Sequence, residues 1–340
     1  MKFRQLADTG VFVSELCLGA MTFGGKGQMW EVIGGLDQTA VDAIVHRALD
    51  GGINFIDTAD VYSAGESETM VGKAIAGRRQ DVVLATKVRG RMGPGPNQVG
   101  LSRLHIINSV EGSLKRLNTD YIDLYQIHRF DPITNIEDTL RALDDLVRSG
   151  KVRYIGCSNL PAWYLMKALA VSREQRLERF RCTQSFYSLA GRDLEREMIP
   201  LLRDQGLGLL VWSPLAGGFL SGKFTRDSGD ETARRAKFDF PPVNKERGFA
   251  ILDVLTPMAE GHGVTVPQIV LAWILANDAV TSVIIGARKI AQLDDNLKAV
   301  DVALTADDMK ALDEVSGLTL EYPAWMDALG TDRRPGEKRY

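Results

Sequence analysis

The sequence predicts a single (β/α)8 TIM barrel with an N-terminal β-hairpin and a long insertion between strands seven and eight. Three observations predict it. Eight short apolar runs recur along the chain, each run is followed by a stretch of helical period, and nothing marks a linker or a second domain. Most successive runs start roughly 27 to 40 residues apart, the length of one strand–helix unit. Strands alternating with helices imply parallel strands joined by crossovers. Eight such units close naturally into a barrel; an open doubly wound sheet is the alternative.

The elements follow in order. The segment from Phe3 to Ser14 alternates around Asp8, Thr9 and Gly10 and predicts the hairpin. The apolar runs are residues 16–18, 53–56, 82–85, 122–127, 152–155, 182–186, 209–211 and 283–285. Between them, residues 38–49, 102–117, 136–147 and 194–203 are amphipathic. In the third of these, Ile136, Leu140, Leu143 and Val147 share one helical face. The interval from the seventh run to the eighth is about twice the others. It holds an insertion at about 215–243 and then two helices. From Leu318 to Tyr340 the chain reads as irregular, aromatic and then charged, with a solvated last third. One barrel domain over residues 1–340 is the expectation.

Composition narrows the function classes. Of 340 residues, 45% are hydrophobic and 25% charged, which excludes a disordered chain. A formal net charge of −3 gives no general basic field for nucleic acid. The three cysteines show no paired spacing, as expected of a reduced cytoplasmic protein. The N-terminal residues lack an apolar h-region, and no apolar run reaches the ~18 residues of a membrane helix. A soluble protein with no membrane partner is expected; composition carries no signal for oligomeric state.

In barrels of this type the active site lies at the carboxyl ends of the strands. The residues that close the apolar runs are Gly19, Asp57, Lys87, His128, Ser158 with Asn159, Gln184, Trp212 with Ser213, and Gly286. Singly, Lys87 reads as a solvated lysine, His128 as a rim histidine and Asp57 as a turn cap. Together they bring acid, base and carbonyl-binding groups to one ring mouth. A metal site needs several ligands, yet of the four histidines only His128 closes a strand, so no metal is expected. No Gly-x-Gly-x-x-Gly follows the first strand. The stretch from Gly217 to Lys223 has P-loop spacing, but Phe224 stands where Ser or Thr must hold magnesium. Its glycines would instead let backbone amides approach a phosphate, at the position after strand seven where barrels commonly bind one.

Longer motifs accompany these residues: Gly19-Ala-Met-Thr-Phe-Gly24, Asp57-Thr-Ala-Asp-Val-Tyr62 followed by Gly65-Glu-Ser-Glu68, and Lys87 closing Ala85-Thr-Lys. Asp120-Tyr-Ile-Asp-Leu-Tyr-Gln-Ile-His128, Gly150 through Asn159, Trp212-Ser-Pro-Leu215 and Ile285-Gly-Ala-Arg288 continue the series. The set resembles the aldo-keto reductase superfamily over about residues 3–326. The resemblance implies a catalytic tetrad of Asp57, Tyr62, Lys87 and His128. A ketone accepting hydride develops alkoxide character and needs a proton donor. On this reading the Lys87 ammonium lowers the pKa of Tyr62, Asp57 keeps Lys87 charged, and His128 orients the carbonyl.

The resemblance also implies NADP(H) as cofactor. Ser158, Asn159 and Gln184 would hold the carboxamide of the nicotinamide, and Trp212 would stack on its ring. Ser213, Pro214, Leu215, Gly217 and Lys223 would surround the pyrophosphate. Arg288 would meet the 2′-phosphate, which also answers why an arginine opens a helix against its dipole. Gln292, Asp295 and Asn296 would lie at the adenine, with Gly19, Met21, Asp57, Gly286 and Ala287 completing the contacts. The loops at 25–35 and 89–96, with Trp30, Phe130, Trp163 and the tail residues Tyr322, Trp325 and Met326, would shape the pocket for a hydrophobic or sugar-like carbonyl. The expected function is NADPH-dependent reduction of an aldehyde or ketone, or the reverse. The alternative is a cofactor-binding regulatory subunit on the same fold.

Overall fold

A computed structural model describes residues 1–226 and 234–329. Strands β1 (Phe3–Gln5) and β2 (Phe12–Ser14) pair antiparallel, as the hairpin pattern predicts. The barrel strands are β3 (Leu16–Gly19), β4 (Phe55–Asp57), β5 (Val83–Val88), β6 (Ile122–Ile127), β7 (Val152–Ser158), β8 (Cys182–Phe186), β9 (Gly208–Trp212) and β10 (Val280–Ile285). They are parallel, and β10 pairs with both β9 and β3. That closure removes the open-sheet alternative.

The helices are α1 (Gln28–Ile33), α2 (Gln38–Asp50), α3 (Glu66–Ala74), α4 (Arg103–Leu117), α5 (Ile136–Arg148), α6 (Ala162–Gln175), α7 (Met198–Gln205), α8 (Arg234–Lys237), α9 (Lys245–His262), α10 (Val266–Leu275), α11 (Ile290–Leu297), α12 (Ala306–Ser316) and α13 (Ala324–Leu329). Side-chain caps from Asp37, Ser102, Asn135, Asn244, Thr265 and Thr305 fix six of the starts. Ile136, Leu140 and Leu143 of α5 are buried, as their spacing predicts.

Three elements differ from expectation, the first being α1, which forms inside the loop expected at 25–35. The helix expected over 194–203 is a 3-10 turn at Asp193–Glu195 followed by α7. Pro200 explains the break: it has no N–H to bond the carbonyl of residue 196, and it is tolerated only in a first turn. The tail is not wholly irregular, since α13 forms within it; its charged end at 330–340 lies outside the described residues.

Alternation along the strands divides the core. Leu16, Leu18, Ile56, Leu84, Tyr125, Leu209 and Val211 face the helices, while Cys17, Phe55, Ala85, Leu124, Cys182, Leu210 and Ile284 fill the barrel interior. Leu6 and Val13 of the hairpin join that inner cluster and seal its lower end. With a period of two, the next inward positions are Gly19, Asp57, Lys87, Gln126, Ser158, Gln184, Trp212 and Gly286. A polar ring therefore sits directly on an apolar floor.

Candidate active site

The ring assembles as a hydrogen-bonded set. Lys87, fully buried, donates from Nζ to Asp57 Oδ2 at 2.5 Å, to the Thr58 carbonyl at 2.8 Å and to the Tyr62 hydroxyl at 3.3 Å. The second Asp57 oxygen accepts from Gln126 Nε2 at 3.1 Å and from Gln184 Nε2 at 2.8 Å. Asp57 is thus fixed from three strands, and it in turn fixes the lysine. The rings of Tyr62 and His128 meet edge to face at 5.8 Å. Among the described residues, nothing bonds either ring nitrogen of His128.

Electrostatics follow from burial. Burial pulls the Lys87 pKa down, but the Asp57 carboxylate and Tyr62 outweigh it, and the net shift is upward. Lys87 is a cation at neutral pH. Burial likewise raises the Tyr62 phenol, and Lys87 offsets this only in part, so the net shift is upward. The expectation that Lys87 lowers this pKa below its usual value is corrected here, because desolvation of a buried phenolate exceeds the attraction of one cation that Asp57 already neutralises. His128 is pushed well below the usual imidazole range, first by burial and then by Lys87 and nearby arginines. It is neutral.

A second acidic group lies behind the ring. Asp60 is fully buried, and neither carboxyl oxygen finds a hydrogen-bond partner among the described residues. Its neighbour Glu68 is satisfied, accepting from Thr86 Oγ1 at 2.5 Å and from Arg116 Nε at 2.7 Å. Burial, reinforced by the Glu68 charge, raises the Asp60 pKa well above the carboxylate range, against Arg116 and Lys87. The unfolded chain releases this proton near pH ~4 while the fold keeps it. The fold is therefore increasingly penalised as pH rises, by up to about 1.4 kcal/mol per unit until the folded pKa is reached. Asp60→Asn, neutral and isosteric, is expected to raise Tm by an amount that grows from pH 5 to pH 7. Thermal scans across that range check it; a gain independent of pH would mean that Asp60 is not a neutral acid in the fold.

Around the mouth, Asn159 (φ 54°) donates from Nδ2 to Ser158 Oγ at 2.8 Å and accepts from Trp212 Nε1 at 3.1 Å. Ser158 Oγ donates to the Gln184 carbonyl at 2.8 Å. Trp212 already stacks on Phe240, at 5.8 Å and 10°, and tilts against Phe186. Past it, Pro214 is buried, and Ser213 Oγ accepts from the Gly217 amide at 2.8 Å. The amides of Ala216, Gly218 and Leu220 bond within the same turn. These amides are therefore spent internally, whereas the sequence suggested that they would face a phosphate. The nearby cation is instead Arg235, buried and bonded through Nη1 to the Ala216 carbonyl at 2.6 Å. A Cβ on Gly217 would stand 2.3 Å from the Phe240 carbonyl and 2.9 Å from Arg235 Nη1, so only glycine fits there. Lys223 is exposed beyond the turn.

On the β10 side, Gly286 is open and Ala287 buried, with Thr22 Oγ1, next to half-buried Met21, reaching the Ala287 carbonyl at 3.5 Å. Gln292 Oε1 accepts from the Arg288 amide at 2.9 Å. Asp295 is engaged by α10, through Thr265 Oγ1 and Gln268 Nε2, both at 2.8 Å, and Asn296 is buried. On the opposite rim, Phe130 packs edge-on to Tyr164 at 4.5 Å beside Trp163, lining a cleft of about 470 Å³. Trp30 reaches the Tyr62 ring at 5.5 Å. Trp325 has Tyr322 as its ring partner at 6.0 Å, and no described contact brings it to the tetrad.

The family model described as Aldo/keto reductase family matches residues 15–316. This chain belongs to the aldo/keto reductase family. A Bacillus subtilis protein described as uncharacterized oxidoreductase YrpG is 40% identical, over 96% of this chain and 100% of its own length. Norsolorinic acid reductase B of Aspergillus parasiticus is 36% identical, over 95% of this chain and 86% of its own. A probable voltage-gated potassium channel subunit beta of Arabidopsis thaliana is 37% identical, over 89% and 92%. Membership makes the chain an oxidoreductase; aldo/keto reductases act on small-molecule carbonyl groups and generally use NAD(P)H. Among the described residues no helix is long and apolar enough to cross a membrane.

The residues of this aldo/keto reductase suit an anionic dinucleotide. Burial depresses the Arg288 pKa with no carboxylate to offset it, so an anion would relieve that cation. A Cβ on Gly286, two residues before Arg288, would meet nothing within 4 Å, so the backbone there is open to a close approach. Sequence reading gave no role to Gln126, Asp60 or Arg235. The period of two would have found Gln126, two residues beyond the inward Leu124. Asp60 shows no signal until its burial is known, and Arg235 reaches Gly217 only through the fold of the insertion.

Proposed function

We propose that this chain reduces a small aldehyde or ketone with NADPH, or runs the reverse reaction, with Tyr62 as proton donor. The reading treats residues 1–340 as one barrel domain working in the cytoplasm. The observation that carries it is the buried Lys87 ammonium, held at 2.5 Å by Asp57 and 3.3 Å from the Tyr62 hydroxyl. The nicotinamide, when bound, supplies the hydride. Negative charge then grows on the substrate oxygen, and Tyr62 transfers its proton to it. Lys87 stabilises the Tyr62 tyrosinate left behind, which then takes a proton back from solvent. His128, neutral, can donate one N–H to the carbonyl oxygen and fix its direction. Ser158, Asn159 and Gln184 would hold the carboxamide, Trp212 the ring, and Arg288 the 2′-phosphate. Trp30 and Phe130 would contact the substrate.

A panel of aliphatic, aromatic and sugar aldehydes and ketones, followed through NADPH and NADH absorbance, tests this directly. Turnover with NADPH is expected. Nucleotide binding without turnover of any carbonyl would favour the regulatory-subunit reading, for which the 37% identity to a channel subunit is the supporting observation.

Lys87 is the penultimate residue of β5, where a neutral amine could form an imine with a carbonyl. Its raised pKa opposes that. Borohydride treatment in the presence of substrate should leave no adduct on Lys87 by mass spectrometry. A stable adduct there would replace the role given to this residue.

A further inference from the structure

The segment at 24–35 arches over the mouth. It leaves the end of β3, carries α1 and packs against α8, which belongs to the insertion after β9. In the barrel, β10 lies between β9 and β3, so the arch passes over the end of β10. Arg288, which follows β10, donates from Nη2 to the carbonyls of Val32 at 2.8 Å and Ile33 at 2.6 Å. At the other end Glu66 Oε2 accepts from the Gly25 and Lys26 amides at 3.0 and 3.3 Å. Between these two pins, the arch lays Trp30 against Tyr62, at 5.5 Å between rings.

The foot of the arch is closed by its own backbone, Gly35 bonding the Gly24 carbonyl at 2.5 Å and Gly24 the Leu36 carbonyl at 3.1 Å, but its crown is held from outside. Gly24 (φ 74°), Gly27 (φ 103°) and Gly35 (φ 108°) interrupt it with backbone that other residues rarely adopt. Its one helix is six residues long, too short to persist unaided. Inside it, the Gly34 amide bonds the Trp30 carbonyl at 2.6 Å, which makes the turn held by Arg288 and the turn bearing Trp30 one rigid piece. Among the described residues, Arg288 engages the arch through Nη2 alone. Both Nη2 hydrogens are spent there, so an anion can reach Arg288 only through single bonds from Nε–H or Nη1–H if α1 is to stay held.

We propose that Arg288 is a positioning residue for the substrate pocket: by holding the last carbonyls of α1 it sets where Trp30 stands over Tyr62. The cofactor end and the carbonyl end of the mouth are thereby coupled through the arch. This rests on Tyr62 being the reacting centre, but the position of the arch can be tested without turnover.

Hydrogen exchange on the nucleotide-free protein reads that position. Arg288→Ala should speed exchange of the Gly34 and Gly35 amides at least about tenfold, while the amides of β3 and β4 stay unchanged. Arg288→Lys, which keeps the charge but lacks the fork, should fall between, and it serves as the readout if the alanine variant does not fold. Unchanged exchange in both variants overturns the proposal even if the protein proves to be an efficient reductase. A double-mutant cycle reads the coupling, with KM and kcat measured for a bulky aromatic aldehyde and for propionaldehyde at saturating NADPH. Arg288→Ala should change KM for the bulky substrate by roughly 3- to 10-fold and do nothing further in a Trp30→Ala background. KM for propionaldehyde should change by a smaller factor than KM for the bulky aldehyde, and an equal change in both would overturn the proposal. Additive effects of the two substitutions would confine Arg288 to the nucleotide and overturn the proposal. Absence of turnover with every carbonyl would sink the reductase reading and leave the exchange result standing on its own.

Discussion

Tyr62→Phe is expected to lower kcat by about 10²–10⁴-fold while leaving nucleotide affinity nearly unchanged. The substitution removes one oxygen, and the ring that packs between Trp30 and His128 remains. Because burial keeps the phenol protonated, the donor is fully loaded at neutral pH, and its loss leaves the growing alkoxide with no proton source of comparable reach. Lys87 is a poorer donor in its place, because the Asp57 carboxylate beside it holds its ammonium charged and the bonds to Asp57 and the Thr58 carbonyl fix its Nζ behind the phenol. Steady-state rates with the best substrate of the panel, alongside fluorescence titration with NADPH, separate the two quantities. Residual kcat within a few-fold of the parent would move the proton-donor role to another group.

Arg288→Ala is expected to weaken NADPH by roughly 10- to 150-fold more than it weakens NADH, on the scale of ~1.5–3 kcal/mol for bonds to a charged group. A 2′-phosphate offers charge-assisted contacts to the Nε and Nη1 donors that Arg288 does not spend on the arch, and NADH has only a neutral hydroxyl at that place. The structure adds a common loss for both nucleotides, because the same side chain holds the arch through Val32 and Ile33. The difference between the two affinities is therefore the diagnostic quantity. Titrating intrinsic tryptophan fluorescence with each nucleotide, in both proteins, measures it. Equal losses would assign Arg288 to the arch alone, and a parent protein that prefers NADH would refute the NADPH assignment.

Much of the site is legible in the sequence. Strand alternation and the barrel rule place Asp57, Lys87, Ser158, Gln184 and Trp212 one inward step above Phe55, Ala85, Gly156, Cys182 and Leu210, and each step can be read from local sequence. His128 is equally visible, as the first residue after a six-residue strand whose apolar run ends at Ile127. The elements that departed from expectation did so for reasons carried by single residues or long contacts. Pro200 restarts α7, and the segment at 25–35, expected as a pocket-shaping loop, contains a helix pinned by Arg288.

The sequence by itself determined the barrel, the order of its strands and which side chains stand at their carboxyl ends, because these follow from periods of two and 3.6 acting over a few residues. Tertiary structure alone decided which distant groups meet. Gln126 and Gln184 converge on one Asp57 oxygen, Arg235 folds back on Gly217, and Arg288 reaches across to α1. It also decided the sign of the Tyr62 shift. Sequence showed the cation beside the phenol, but that sign is a small difference between a desolvation cost and a Coulombic gain. Neither can be weighed until the depth of burial and the distance to Lys87 are known.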